Sequence, residues 1–193
     1  MDLVLASTSP SRRAMLTAAG VAFRAIPPGV DERMFDHPDP ATLAALLAHA
    51  KAAAVAARTP EAWVLGSDQV GWLDGERLDK PDDPVDHLRR LQRMRGRPHT
   101  LHTAWTLLGP SDARVDGATT VTLWMRPDLT DEELAAYVAT GEGARCAGGY
   151  ALEGLGSPFF SRYEGDWFSV LGLPLLDVLD ALRGRGWRPG SAA

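Results

Sequence analysis

Residues 97–125 read "RPHTLHTAWTLLGPSDARVDGATTVTLWM". Two alternating stretches, 97–108 and 114–125, flank a "GPSD" turn, which predicts two long antiparallel strands. A doubly wound parallel sheet needs strands and helices to alternate throughout, and that alternation fails after residue 96. The pattern therefore predicts an α/β fold with an elongated mixed, largely antiparallel sheet. Helices pack around it, and two lobes flank a central cleft.

Working upstream, "AWVLGSDQVGWL" (62–73) reads as a strand. Asp74-Gly75 is a strong hairpin signal, followed by a return strand, "ERLDKP", that stops at Pro81. Strict register across a two-residue loop places Lys80 opposite Gln69, one step from Asp68. A helix is predicted from Pro84 to Met94, closing at Arg95-Gly96. Leu43, Leu46, Leu47 and Ala50 repeat at helical spacing within a helix over 41–58. Before it come an irregular loop (27–40), a strand (21–26), a helix over 10–20 and a strand over 2–6. Downstream, "TDEELAAYVAT" (130–140) carries a capping signature, Thr130 before Glu133, and Gly141 ends that helix. The glycine-rich "CAGGYALEGLG" (146–156), a strand near 158–163 and a helix over 174–185 follow. The tail "GWRPGSAA" (186–193) is expected to fray.

The bulk numbers narrow the function classes. The chain has 193 residues, 45% hydrophobic and 23% charged, enough for a sizeable core in one domain with two lobes. A net charge of -5 gives no global field for nucleic acid, so a polyanionic partner must be small and met by a local cluster. The single Cys146 excludes an internal disulfide framework and a thiolate zinc site. With no signal peptide expected and no apolar run of membrane-spanning length, a cytoplasmic protein without a membrane partner is expected.

Four places could carry chemistry. The first is "LASTSPSRRAML" (5–16). Ser9 is a natural N-cap with Pro10 at the first helical position. Ser7, Ser9 and the helix N-terminus form a donor-rich anion site. Arg12 and Arg13 stand in the first turn, where the helix dipole disfavours cations; either they are solvated, or they face an anion. The second is Asp68 in "GSDQV", which either caps a turn or sits at a strand end facing a cleft. The third is Lys80, which is either a cross-strand ion pair of small value or a ligand near Asp68. The fourth is Glu153 among the glycines, a flexible solvated acid or a hydrogen-bond acceptor. His99 and His102 lack a third metal-type ligand, and no G-x-x-x-x-G-K phosphate loop is present.

Together, "LASTSPSRR", "VDE" (30–32), "HAKA" (49–52), "GSDQV", "DKP", "RGRPHTLHT" (95–103), "CAGGYALEGLG" and "VLGLPL" (170–175) resemble the Maf family of nucleoside triphosphate pyrophosphatases nearly end to end. The resemblance implies the inosine triphosphatase-like fold and cleavage between the α and β phosphates of a nucleotide. It implies Asp68 as the catalytic residue, and Ser7, Ser9, Arg12, Lys51 and Lys80 as substrate-binding. Asp68 and Glu32 would hold Mg²⁺, and a homodimer is the implied assembly. Ser11, Gln69 and Glu153 match its selectivity positions. Gln69 and Glu153 agree with members that hydrolyse 7-methyl-GTP, while Ser11 matches neither that type nor the dTTP/UTP type. Trp167 or Phe168 could supply an aromatic face in place of one at Ser11. A pyrimidine-type enzyme, or a nucleotide-binding regulator of septum formation with little turnover, are the alternatives.

Overall fold

A computed structural model describes residues 1–190; residues 191–193, the end of the tail expected to fray, lie outside the described residues. Among the described residues, seven strands, β1 (Leu3–Leu5), β2 (Arg24–Ala25), β3 (Trp63–Leu73), β4 (Glu76–Leu78), β5 (Pro98–Leu108), β6 (Arg114–Met125) and β7 (Phe160–Glu164), share one sheet in the hydrogen-bonding order β2-β1-β3-β5-β6-β7, with β4 pairing β3. The chain divides into two compact units. The first holds Met1–Asp68, Thr103–Thr119 and the segment from Trp167 onward; the second holds Gln69–His102 and Thr120–Asp166.

In the first unit, β1 (Leu3–Leu5) pairs in parallel with both β2 (Arg24–Ala25) and β3 (Trp63–Leu73). Only two residues of the strand expected over 21–26 join the ladder. Side chains alternate along these strands, and both faces are buried. Leu3, Leu5 and Leu65 pack with Met15 and Leu16 of α1 (Pro10–Ala18) and with Leu175, Val178 and Leu182 of α6 (Leu175–Arg183). Val4, Ala6 and Val64 pack on the other face against Ala52 and Val55 of α2 (Pro40–Ala56). Asp39 caps α2, its carboxylate accepting from Thr42 N at 2.8 Å, and Pro40 occupies the first turn, where its missing N–H leaves no bond unmade. The loop over 27–40 contains a single 3₁₀ turn, Glu32–Met34, capped by Asp31. A short helix that the sequence did not signal, α5 (Trp167–Val170), precedes α6.

β5 (Pro98–Leu108) and β6 (Arg114–Met125) are neighbours joined by the turn that closes through Gly109 N and Ala113 O at 2.7 Å. Neighbours linked so briefly are antiparallel, because a parallel return needs a crossover of about a dozen residues or more. The expected hairpin is therefore present, and the sheet is mixed.

In the second unit, Asp74 and Gly75 both take positive φ, +50° and +87°, as a two-residue hairpin of this hand requires. The register is the expected one: Gly71 faces Leu78 and Leu73 faces Glu76. However, β4 spans only Glu76–Leu78, so Lys80 lies beyond the ladder and the predicted Gln69–Lys80 pair is not formed as a strand pair. α3 (Pro84–Met94) has the expected bounds. α4 (Asp131–Ala139) starts with a complete capping box between Thr130 and Glu133. β7 (Phe160–Glu164) pairs antiparallel with β6 across a bulge at Trp124/Met125. Among the described residues, no helix is long and apolar enough to cross a membrane.

Candidate active site

The site is built from the carboxyl end of β1, the start of α1, one side of α2 and the middle of β3, all in the first unit. Asp68 does not end its strand: β3 continues through it for five more residues. Neither sequence reading, turn cap or strand end, describes it. Asp68 is a mid-strand carboxylate only 5% exposed, a position that requires a partner. That partner is Lys51, itself buried on α2, whose Nζ lies 2.5 Å from Asp68 Oδ1.

Gly66 makes the meeting possible. Residues 64, 66 and 68 share the strand face that α2 covers. A Cβ at Gly66 would stand 2.4 Å from the Ala48 carbonyl oxygen and 2.6 Å from the Ala52 nitrogen. Only a bare α-carbon lets the helix lie this close, and closeness brings Lys51 within reach of Asp68.

Lys51 also binds Glu32, with Nζ to Oε1 at 2.6 Å. The 3₁₀ turn after the Asp31 cap carries Glu32 to this point. One ammonium thus joins two carboxylates from segments far apart in sequence. Burial pushes the Asp68 carboxyl above the usual carboxylate range; the charge of Glu32 adds to that, while Lys51 and Arg12 pull it down. For Arg12, burial presses the guanidinium pKa downward, and Asp68 and Glu32 oppose it. The mutual influence places Arg12, Asp68 and Glu32 in one electrostatic neighbourhood.

At the opening loop, the Ser9 hydroxyl accepts from Arg12 N at 3.4 Å, the cap that the sequence predicts. Ser7 is buried, and its hydroxyl accepts from Ser9 N at 3.1 Å. A hydroxyl that accepts still has its own O–H to donate. The two arginines divide: Arg12 turns inward to Gly172 O at 2.7 Å, whereas Arg13 is exposed, its Nη2 3.5 Å from Ser7 O. Ser11 is half-buried in the first turn of α1.

The remaining candidates lie in the second unit: Gln69, Lys80 and Glu153. Lys80 and Glu153 are both close enough to Cys146 to act on it. Burial raises the thiol pKa, Glu153 and Glu142 raise it further, and Lys80 lowers it. Glu153 is exposed, while the backbone around it is fastened by Ala151 N to Tyr137 Oη at 3.0 Å and Gly156 N to Glu142 Oε2 at 3.1 Å. The flexible-connection reading of this segment does not hold, because side chains from α4 and the residues after it tie the backbone down. His99 is buried and pairs with Tyr150 Oη at 2.6 Å, a structural role rather than a metal site. Phe168 packs against the apolar cluster of the first unit.

Three functional residues escaped the sequence reading. Gly66 sets the helix-to-strand distance, the Gly172 carbonyl accepts from Arg12, and Ser67 donates to that same carbonyl. Of these, Gly66 had a signal, a glycine inside a strand pattern. Among the described residues, no group of three or more His, Cys, Asp or Glu side chains is arranged to hold a metal ion alone. The donor chemistry of Asp68 and Glu32, two carboxylates at one nitrogen, fits a hard ion that takes one or two protein carboxylates and completes its shell from phosphate and water.

A family model described as Maf-like protein matches residues 2–185. The chain is 45% identical over 187 residues to a dTTP/UTP pyrophosphatase of Thermus thermophilus, covering 97% of this chain and 96% of that protein. It is 43% identical over 196 residues to a nucleoside triphosphate pyrophosphatase of Streptomyces coelicolor, covering 97% and 95%. Among solved structures, the Staphylococcus aureus Ham1 protein aligns over 66% of this chain and 73% of its own, with 15% identity and a TM-score of 0.44.

Proposed function

The chain belongs to the Maf-like protein family, and on that premise we propose that it hydrolyses the α–β phosphoanhydride of a nucleoside triphosphate. Water is consumed, and a nucleoside monophosphate and pyrophosphate are released. The observation that carries this reading is the cluster in which the buried Lys51 joins the buried Asp68 to the half-buried Glu32 beside Arg12.

The roles follow from charge and placement. Two acids and two cations balance, so the cluster by itself brings no net charge to a polyanionic triphosphate. Asp68 and Glu32 would hold Mg²⁺, which supplies the missing positive charge and polarises phosphoryl oxygens. Asp68 would also take a proton from the attacking water. Lys51 uses two of its three donors on the acids and directs the third to a phosphate oxygen. Arg12 and the hydroxyls of Ser7 and Ser9 receive the rest of the phosphate chain. The family resemblance, rather than placement, assigns Lys80 to phosphate and Ser11, Gln69 and Glu153 to the choice of base.

Two substrates compete within this reading. Identity across nearly the whole chain to the Thermus protein, named for dTTP and UTP, favours a pyrimidine nucleotide. Gln69 and Glu153 favour 7-methyl-GTP, because an exposed carboxylate at Glu153 can accept from the N1–H and N2–H₂ edge of guanine. Pyrophosphate release is measured with Mg²⁺ across dTTP, UTP, GTP, ATP, CTP and 7-methyl-GTP. Release from at least one is expected, and the profile decides the base. No release from any, with binding retained, would replace the enzyme with a nucleotide-binding regulator.

A further inference from the structure

The carbonyl oxygen of Gly172 accepts two hydrogen bonds from distant parts of the first unit. Arg12 Nε donates at 2.7 Å and Ser67 Oγ at 3.1 Å. A carbonyl oxygen has two lone pairs, so one atom can serve both donors. Gly172 takes φ +94°, which suits glycine, and a Cβ there would lie 3.4 Å from Arg12 Nη2. The turn that presents this carbonyl is itself fixed. Gly172 N donates to Ser169 O at 3.0 Å, and Leu173 N donates to Phe168 O at 3.3 Å. Ser169 is wholly buried; its carbonyl accepts from Thr103 Oγ1 at 3.1 Å, and its hydroxyl accepts from Thr119 Oγ1 at 2.6 Å. Strands β5 and β6 thereby set where the Gly172 oxygen stands.

Arg12 needs such an anchor. It occupies the first turn of α1, and the helix dipole there repels a cation. Fixing Nε leaves the two Nη groups as an oriented fork, the geometry that matches phosphate oxygens. Ser67 is wholly buried on β3, immediately before Asp68. The same strand therefore carries the acid on one face and a tether of the arginine's anchor on the other.

We propose that Ser67 is a positioning residue: by sharing the Gly172 carbonyl with Arg12, it fixes the arginine fork relative to Asp68. It touches no substrate and acts through Arg12. The inference rests on Arg12 being a polyphosphate ligand.

The test is a double-mutant cycle read by calorimetric binding of inorganic triphosphate with Mg²⁺, and by kcat and KM for dTTP. Ser67→Ala should weaken triphosphate binding about 2- to 10-fold, the range expected for one lost hydrogen bond. The same factor should appear chiefly in KM. In Arg12→Ala, Ser67→Ala should add nothing. Arg12→Lys, which keeps the charge and lacks the Nε–H, should likewise abolish the effect. An equal loss in all backgrounds, or no loss in the parent, overturns the positioning role while leaving the site reading intact. A parent protein that neither binds triphosphate nor releases pyrophosphate overturns both.

Discussion

Ser67 and Asp68, consecutive on β3, serve opposite faces of the sheet: the serine hydroxyl reaches Gly172 O at 3.1 Å, and the aspartate reaches Lys51 Nζ at 2.5 Å. The period of two in a strand makes this division obligatory. One residue joins the layer of α1 and α6, and the next joins the layer of α2. A shift of register by one residue would exchange them, placing the acid among leucines and the serine against the lysine.

Asp68→Asn should remove the proposed base while keeping the shape of the strand. Turnover is expected to fall about 10²- to 10⁴-fold, and the thermal midpoint to fall with it, because the buried Lys51 keeps only Glu32 as a direct counter-charge. Pyrophosphate release and calorimetry on the same preparation check both halves. Near-normal kcat would remove Asp68 from the chemistry.

Gly66→Ala should be costly despite adding one methyl group. The new Cβ would meet backbone atoms of α2 at 2.4 and 2.6 Å, and backbone cannot rotate away. Overpacking of this kind costs about 1–3 kcal/mol, and moving α2 outward draws Lys51 from Asp68. Urea unfolding should show the lost stability, and activity should fall beyond what the loss of folded protein explains.

His99 makes stability depend on pH. Burial lowers its pKa from 6.5 to about 4, so the native imidazole stays neutral where the unfolded one is protonated. Between pH 6.5 and 4 the unfolded chain therefore binds more protons, and stability falls as pH falls. The full loss, reached near pH 4, is about 3 kcal/mol. Urea midpoints at pH 7, 6, 5 and 4 should decline more steeply for the parent than for His99→Gln. Parallel declines would show that other groups dominate.

Chelation tests the proposed ion. With EDTA, pyrophosphate release should stop and return on addition of Mg²⁺, while the thermal midpoint of the substrate-free protein moves little, since Lys51 and Arg12 together already balance both acids. Undiminished turnover in EDTA would remove Asp68 and Glu32 as metal ligands.

Much of this protein was legible in its sequence by itself. Ser9 before Pro10 and the Thr130–Glu133 pair announced two helix starts, because caps act within a few residues. Asp74-Gly75 fixed a hairpin register that the structure reproduces, and the alternating runs over 97–125 excluded a purely parallel sheet. Tertiary structure alone decided how the polar residues are shared out. That Asp68 lies mid-strand, that Lys51 serves two acids, and that Arg12 rests on a carbonyl 160 residues away depend on contacts between segments remote in the chain. Local propensity carries no term for such contacts. They appear only when packing brings α2 onto Gly66 and the turn after α5 beneath Arg12, where burial makes an unpaired charge too costly to remain.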